Sequence, residues 1–144
     1  MFEAVINNTP ELNGSFRKGL QALGPNSAKI SLSDTRLCQG SVDIDTHLVP
    51  RYPNANRWDY VFGYNDVAYF VEVHSAKTSE VQTVINKYTW LIAWLKQSAP
   101  QLNKMNRRIN WIATNSVHIL SGSKQFRRLA VSGLSMPRER LLVG

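Results

Sequence analysis

Cysteine is almost missing from this chain: Cys38 is the only one in 144 residues. No disulfide framework and no cysteine-built zinc site can come from a single thiol. With no histidine beside it in a recognisable pattern, Cys38 reads as a small core or surface residue. Long apolar runs are missing too, and no stretch approaches the ~20 residues needed to cross a bilayer. The N-terminal MFEAVINNTPELNG lacks a basic region followed by an apolar one, so no secretory leader is expected and a reducing cytoplasm is the default. There is no internal repeat, low-complexity run or long linker. The chain is therefore expected to form one domain over residues 1–144, with a single sizeable core.

Acidic residues are also scarce, 10 Asp and Glu against 17 Lys and Arg, and their scarcity is local. Residues 1–100 hold nine of each sign, so the formal charge of +7 sits wholly in residues 101–144. There Lys104, Arg107, Arg108, Lys124, Arg127, Arg128, Arg138 and Arg140 face Glu139 alone. A polyanion, most simply nucleic acid, is the partner such a segment suits, and a merely solvated basic surface is the alternative.

What is abundant is β-branched and aromatic residues between Trp58 and His74, WDYVFGYNDVAYFVEVH. Two strands, Trp58–Tyr64 and Val67–His74, are predicted, joined by Asn65-Asp66 as a tight hairpin turn. That turn places Val61 opposite Phe70, Asp59 opposite Glu72 and Arg57 opposite His74. Side chains directly opposite in an antiparallel pair project from one face, roughly 5 Å apart at Cβ. Two carboxylates at ~5 Å repel by about 3 kcal/mol at an effective dielectric near 20. A cation between them, or a shared proton, would remove that penalty. Val61, Ala68 and Phe70 share this face, as does His74 by the period of two. Trp58, Tyr60, Phe62, Tyr69, Val71 and Val73 form the other, so the pair is expected inside a covered sheet.

In chain order, Thr9-Pro10-Glu11 reads as a helix start, with Leu12, Phe16, Leu20 and Leu23 at helical spacing up to Gly24-Pro25. Lys29–Ser33 and Ser41–Leu48 alternate like strands. In the second, Asp43, Asp45 and His47 form a polar row that reads as the wet face of an edge strand, with metal ligation as the alternative by residue type. After the hairpin, Ser79 and Gln82 suggest a capping box for a helix whose apolar face is Val81, Val84, Ile85, Tyr88, Leu91, Ile92 and Leu95. Lys87, Trp90 and Trp94 lie on its flank, the tryptophans as core or as a homodimer contact. Pro100 closes the helix. A strand at Ile109–Thr114, its extension or a following strand over Val117–Leu120, a basic helix within Ser121–Ser132 and a short strand at Leu141–Val143 complete the pattern. The expected class is α/β, a central mixed sheet flanked by helices.

This order, together with one acid on each strand of the hairpin, resembles the PD-(D/E)XK, restriction-endonuclease-like nucleases and their αβββαβ core. Asp59 matches the family's first acid, and Glu72-Val73-His74 matches Glu-x-Lys with histidine in place of lysine. The resemblance spans roughly Thr9 to Thr114. It implies hydrolysis of phosphodiester bonds in DNA, or in RNA, with Mg2+ or Mn2+ held by Asp59, Glu72 and the backbone carbonyl of Val73. It also implies that an acid of the first helix sometimes joins the site, for which Glu11 is the candidate. For the missing lysine three readings stay open. His74 does the work itself, a cation comes from Lys87 or Lys77, or hydrolysis is lost and a binding module remains. Arg107, Arg108, Lys124, Arg127 and Arg128 are the expected phosphate contacts.

Overall fold

Asn65 and Asp66 both take positive φ, 49° and 62°, the backbone of a two-residue turn whose twist matches its strands. In the computed structural model, which describes residues 1–144, this turn joins β3 (Tyr60–Tyr64) to β4 (Val67–Lys77). Val61 pairs with Phe70 and Tyr64 with Val67, the register expected from a two-residue loop. β2 (Cys38–Asp43) lies antiparallel to β3, and β5 (Arg107–His118) lies parallel to β4. The class is thus α/β, with a mixed sheet ordered β2-β3-β4-β5.

Alternation along the hairpin divides the core in two. Val61, Ala68, Phe70 and Ala76 point to the larger cluster, made with α1 (Phe2–Asn7), α2 (Ile44–Leu48), α3 (Val81–Ser98), α4 (Pro100–Lys104) and α5 (Lys124–Ser132). Phe62, Tyr64 and Val71 point the other way, to Leu23, Ile112 and a separate parallel pair. That pair is β1 (Ile30–Leu32) with β6 (Leu141–Val143). A sheet covered on both faces explains strands that are apolar on both. Each fully buried Phe or Val here contributes about 1.5–3 kcal/mol relative to exposure.

Several expectations are corrected. No helix runs from Thr9 to Gly24: a 3-10 turn at Pro10–Leu12 and a kinked 3-10 stretch at Gln21–Lys29 stand there instead. Gly14 and Gly19 take φ of 81° and 52°, which an α-helix does not admit. The first helix is α1, whose Phe2 packs so closely over Gly63 that a Cβ at Gly63 would lie 2.5 Å from its ring. Ser41–Leu48 is not one strand, because Asp43 ends β2 and caps α2 by accepting from the Thr46 amide at 2.9 Å. Asp43, Asp45 and His47 therefore form no row on a strand. Trp58 precedes β3 and joins the larger cluster, not the Phe62 side. Arg57 does not face His74 but binds Asp45 at 2.9 Å. The Ser79/Gln82 capping box is absent, a 3-10 turn at Thr78–Glu80 leading into α3. β5 extends past Thr114 to His118, so Val117 continues the strand, with the β4 ladder shifting register between His74/Ala113 and Ala76/Val117. No helix is long and apolar enough to cross a membrane.

Candidate active site

Asp59 sits immediately before β3, where the ladder with β4 has just ended at Tyr60 and Val71. The backbone groups freed there are satisfied by the two acids. The Asp59 amide donates to Glu72 Oε1 at 3.1 Å, and the Val73 amide donates to Asp59 Oδ2 at 3.0 Å. Glu72 lies on the helix-covered face of β4 and is wholly buried. A buried carboxylate without a counter-charge costs several kcal/mol, and the counter-charge comes from the middle of α3. Lys87 Nζ donates to Glu72 Oε2 and reaches Asp59 Oδ1 at 3.3 Å. One cation thus contacts both acids.

His74 extends the cluster along the same face. Its Nδ1 is 3.5 Å from Glu72 Oε2 and its Nε2 is 2.9 Å from Glu80 Oε1. The Trp111 indole donates to the His74 carbonyl at 3.0 Å and fixes the strand behind the ring. Glu72 raises the imidazole pKa, burial opposes it, and Glu80 adds to the rise, so the charged form gains. Burial and then the Glu72 charge push the Asp59 carboxyl up to about 7, against the pull of Lys87. Burial works against the Lys87 ammonium, but Glu72 and Asp59 outweigh it and hold its pKa above the usual lysine value.

Of the residues singled out in the sequence, Asp59, Glu72, His74 and Lys87 converge. Lys77 does not: it is exposed at the end of β4 and makes no contact with either acid. Glu11 is also elsewhere, accepting from Tyr52 at 2.7 Å and from the Trp94 indole at 3.1 Å. Trp94 is buried and stacks on Trp90 at 5.7 Å, with Tyr52 packed edge-on against Trp90 at 5.9 Å. The chain's own residues thus fill much of that helix flank. Glu80 was missed. Nothing in its spacing from His74 marks the pair until the 3-10 turn at Thr78–Glu80 folds it back.

The donor set suits a hard divalent ion. Mg2+ takes oxygen ligands and keeps several waters, so two carboxylates are enough protein. Asp59 and Glu72 share the Lys87 ammonium, and a divalent ion held by both would take its place. Val73 gives its amide to Asp59, and a strand residue directs its carbonyl to the same side as its amide. No group of three or more His, Cys, Asp or Glu side chains forms a ready-made cage.

The basic residues separate into two places. Arg107 and Arg108 begin β5 beside Ala68 and Tyr69, at the hairpin-tip end of the sheet. Arg107 is half-buried and held by Asn103 at 2.9 Å. Lys124, Arg127 and Arg128 are exposed on α5, and Arg128 reaches Gln82 at 3.2 Å, just past Glu80. None of the five pairs with a carboxylate.

No family model matches the chain, and no curated protein or solved structure matches it.

Proposed function

We propose that this protein is a restriction-endonuclease-like phosphodiesterase that cleaves DNA, or RNA, with Mg2+ or Mn2+. Asp59, Glu72, His74 and Lys87 are its catalytic residues. The observation that carries this reading is the meeting of two acids, one just before β3 and one on β4, on a single cation, Lys87 Nζ. The resemblance to the PD-(D/E)XK nucleases rests on the same two acids, and the mixed sheet with its helices agrees with it in class.

Asp59, Glu72 and the Val73 carbonyl would hold the metal, and the metal would lower the pKa of a water and offset charge on the phosphate. The other roles belong to side chains. His74, whose charged form Glu72 and Glu80 favour, would supply in that form the positive charge that the family's lysine would give. Lys87, which contacts both acids from α3, would balance charge on the phosphate. Glu80 orients the His74 ring, and the Trp111 indole holds the backbone carbonyl of the same residue.

A second reading has its own support: all four carboxylate oxygens of Asp59 and Glu72 already accept from the chain itself. On that reading Lys87 permanently replaces the metal and the protein binds nucleic acid or a protein partner without cutting. Plasmid, single-stranded DNA and RNA incubated with Mg2+ or Mn2+ separate the two. Cleavage by the wild type, lost in both Asp59→Asn and Glu72→Gln, supports the enzyme. Salt-sensitive binding with no cleavage supports the module, and cleavage retained in both variants contradicts the site.

A further inference from the structure

α5 carries its charge the wrong way round for a helix that is merely structural. A helix N-terminus is the positive end of the macrodipole, so acids favour it and bases oppose it. In α5, Lys124 is the first residue and Arg127 and Arg128 follow one turn later, with no acid in the first turn and no base in the last. All three are exposed and none has a carboxylate partner. Arg127 and Arg128 donate only to neutral oxygens, those of Gly122 and Gln82. Arg127 and Arg128 each use one of about five guanidinium donors and Lys124 none of its roughly three, so most donors on this face are left over, and an anion would satisfy both them and the dipole.

The helix is anchored where such an anion would matter. Leu129 buries its inner face in the same cluster as Phe70 and Ala76, so α5 lies on the side of the sheet that Glu72 faces. The loops after β4 and β5 are tied together beside it, the Leu120 amide donating to Thr78 Oγ1 at 2.9 Å. Ser123 caps α5 by accepting from the Phe126 amide at 3.0 Å, which sets the helix direction from that tie. Its basic face thus stands at the C-terminal end of the parallel pair β4/β5, the end at which open α/β sheets bind ligands. Arg107 and Arg108 stand at the other end of β5. Arg108 also alternates to the face shared by Ile112, away from Glu72.

We infer that a nucleic-acid backbone lies along α5, held by Lys124, Arg127 and Arg128, and that Arg107 and Arg108 take no part in binding it. The choice of nucleic acid as the polyanion rests on the nuclease reading, but the location of the track does not need hydrolysis.

The test is fluorescence anisotropy of a short labelled DNA duplex with the full chain in EDTA, over a range of salt concentrations. Each lost phosphate contact shallows the plot of log K against log salt by about 0.9. Lys124→Gln/Arg127→Gln/Arg128→Gln should flatten it by about 2 to 3, while Arg107→Gln/Arg108→Gln leaves it as in wild type. Circular dichroism melting checks that both variants fold. An unchanged slope in the α5 variant, or its loss in the Arg107/Arg108 variant, overturns the track. Binding to phosphatidylserine vesicles by the wild type, with none to DNA, overturns it in favour of a lipid surface. Because EDTA removes the cleavage activity from the measurement, a track that binds in a protein that never cuts refutes only the nuclease reading.

Discussion

Lys87 Nζ reaches Asp59 Oδ1 at 3.3 Å from the middle of α3, and the same nitrogen contacts the wholly buried Glu72. The ammonium therefore holds the helix to the sheet electrostatically as well as offsetting two charges. Removing one partner of a buried pair costs about 3–5 kcal/mol, because the remaining charge is stranded. Lys87→Met is expected near the low end of that range, since Lys87 and Asp59 keep 16% and 18% of their side-chain exposure. Urea unfolding measures the loss, and Mn2+ at millimolar concentration should recover part of it by taking the vacated position.

Stability should fall as pH rises through neutrality. Asp59 is raised from the ordinary carboxylate value to about 7, by burial first and by Glu72 second. The folded chain then holds a proton that the unfolded chain releases near pH ~4. The stabilisation is complete below ~4 and is lost as pH rises through about 7. His74, also raised, adds in the same direction: its share is present below ~6.5 and lost above its folded value. Unfolding free energies measured between pH 5 and pH 8 should decline, and Asp59→Asn should flatten most of that decline. A rising profile would contradict the burial argument.

Glu80→Gln should move the His74 titration downward without unfolding the protein. Glu80 is one of two carboxylates facing the ring, at 2.9 Å from Nε2, and its side chain keeps 36% of its exposure. An interaction so open to water is worth at most about 1 kcal/mol. Histidine proton shifts followed against pH give the answer directly. A His74 curve identical to wild type would mean that Glu80 does not hold the imidazole.

The hairpin turn supplies an independent check on the register that brings the acids together. Asp66 has φ of 62°, where a β-carbon costs about 1–2 kcal/mol unless a short polar side chain bonds locally. Its carboxylate accepts from Gln39 at 2.6 Å, and its amide donates to Gln39 Oε1 at 2.9 Å. Asp66→Ala should destabilise by about 1–2 kcal/mol in thermal or urea unfolding, whereas Asp66→Gly should cost distinctly less.

The hairpin was legible because everything that determines it is local. Asn65-Asp66 sets the turn, alternation sets the faces, and the opposition of Asp59 and Glu72 follows from both. α3 was legible for the same reason, its apolar positions repeating every three to four residues. The segment before Ile30 was not. Leu12, Phe16, Leu20 and Leu23 repeat like a helix, but Gly14 and Gly19 break it, and Phe16 packs on the larger cluster while Leu20 packs on the smaller. Ser41–Leu48 alternates like a strand until Asp43 caps α2, a local hydrogen bond that outweighs the alternation. Within the site, Lys87 and Lys77 were equally eligible from sequence. The choice depends on how α3 lies across the sheet, which no short-range pattern carries. Glu80 needed the 3-10 turn to be known first. The basic segment read as one patch because composition does not reveal that β5 carries its first arginines away from α5.

Calorimetric titration with Mn2+ tests most directly whether Asp59 and Glu72 share a site that takes a divalent cation. The wild type should bind in a single step, more tightly at pH 8 than at pH 6 because the ion must displace the Asp59 proton and Lys87. Asp59→Asn and Glu72→Gln should each remove that step. No binding heat in the wild type at either pH, or the same heat in all three proteins, would contradict the account and leave the cluster as a salt bridge that holds α3 to the sheet.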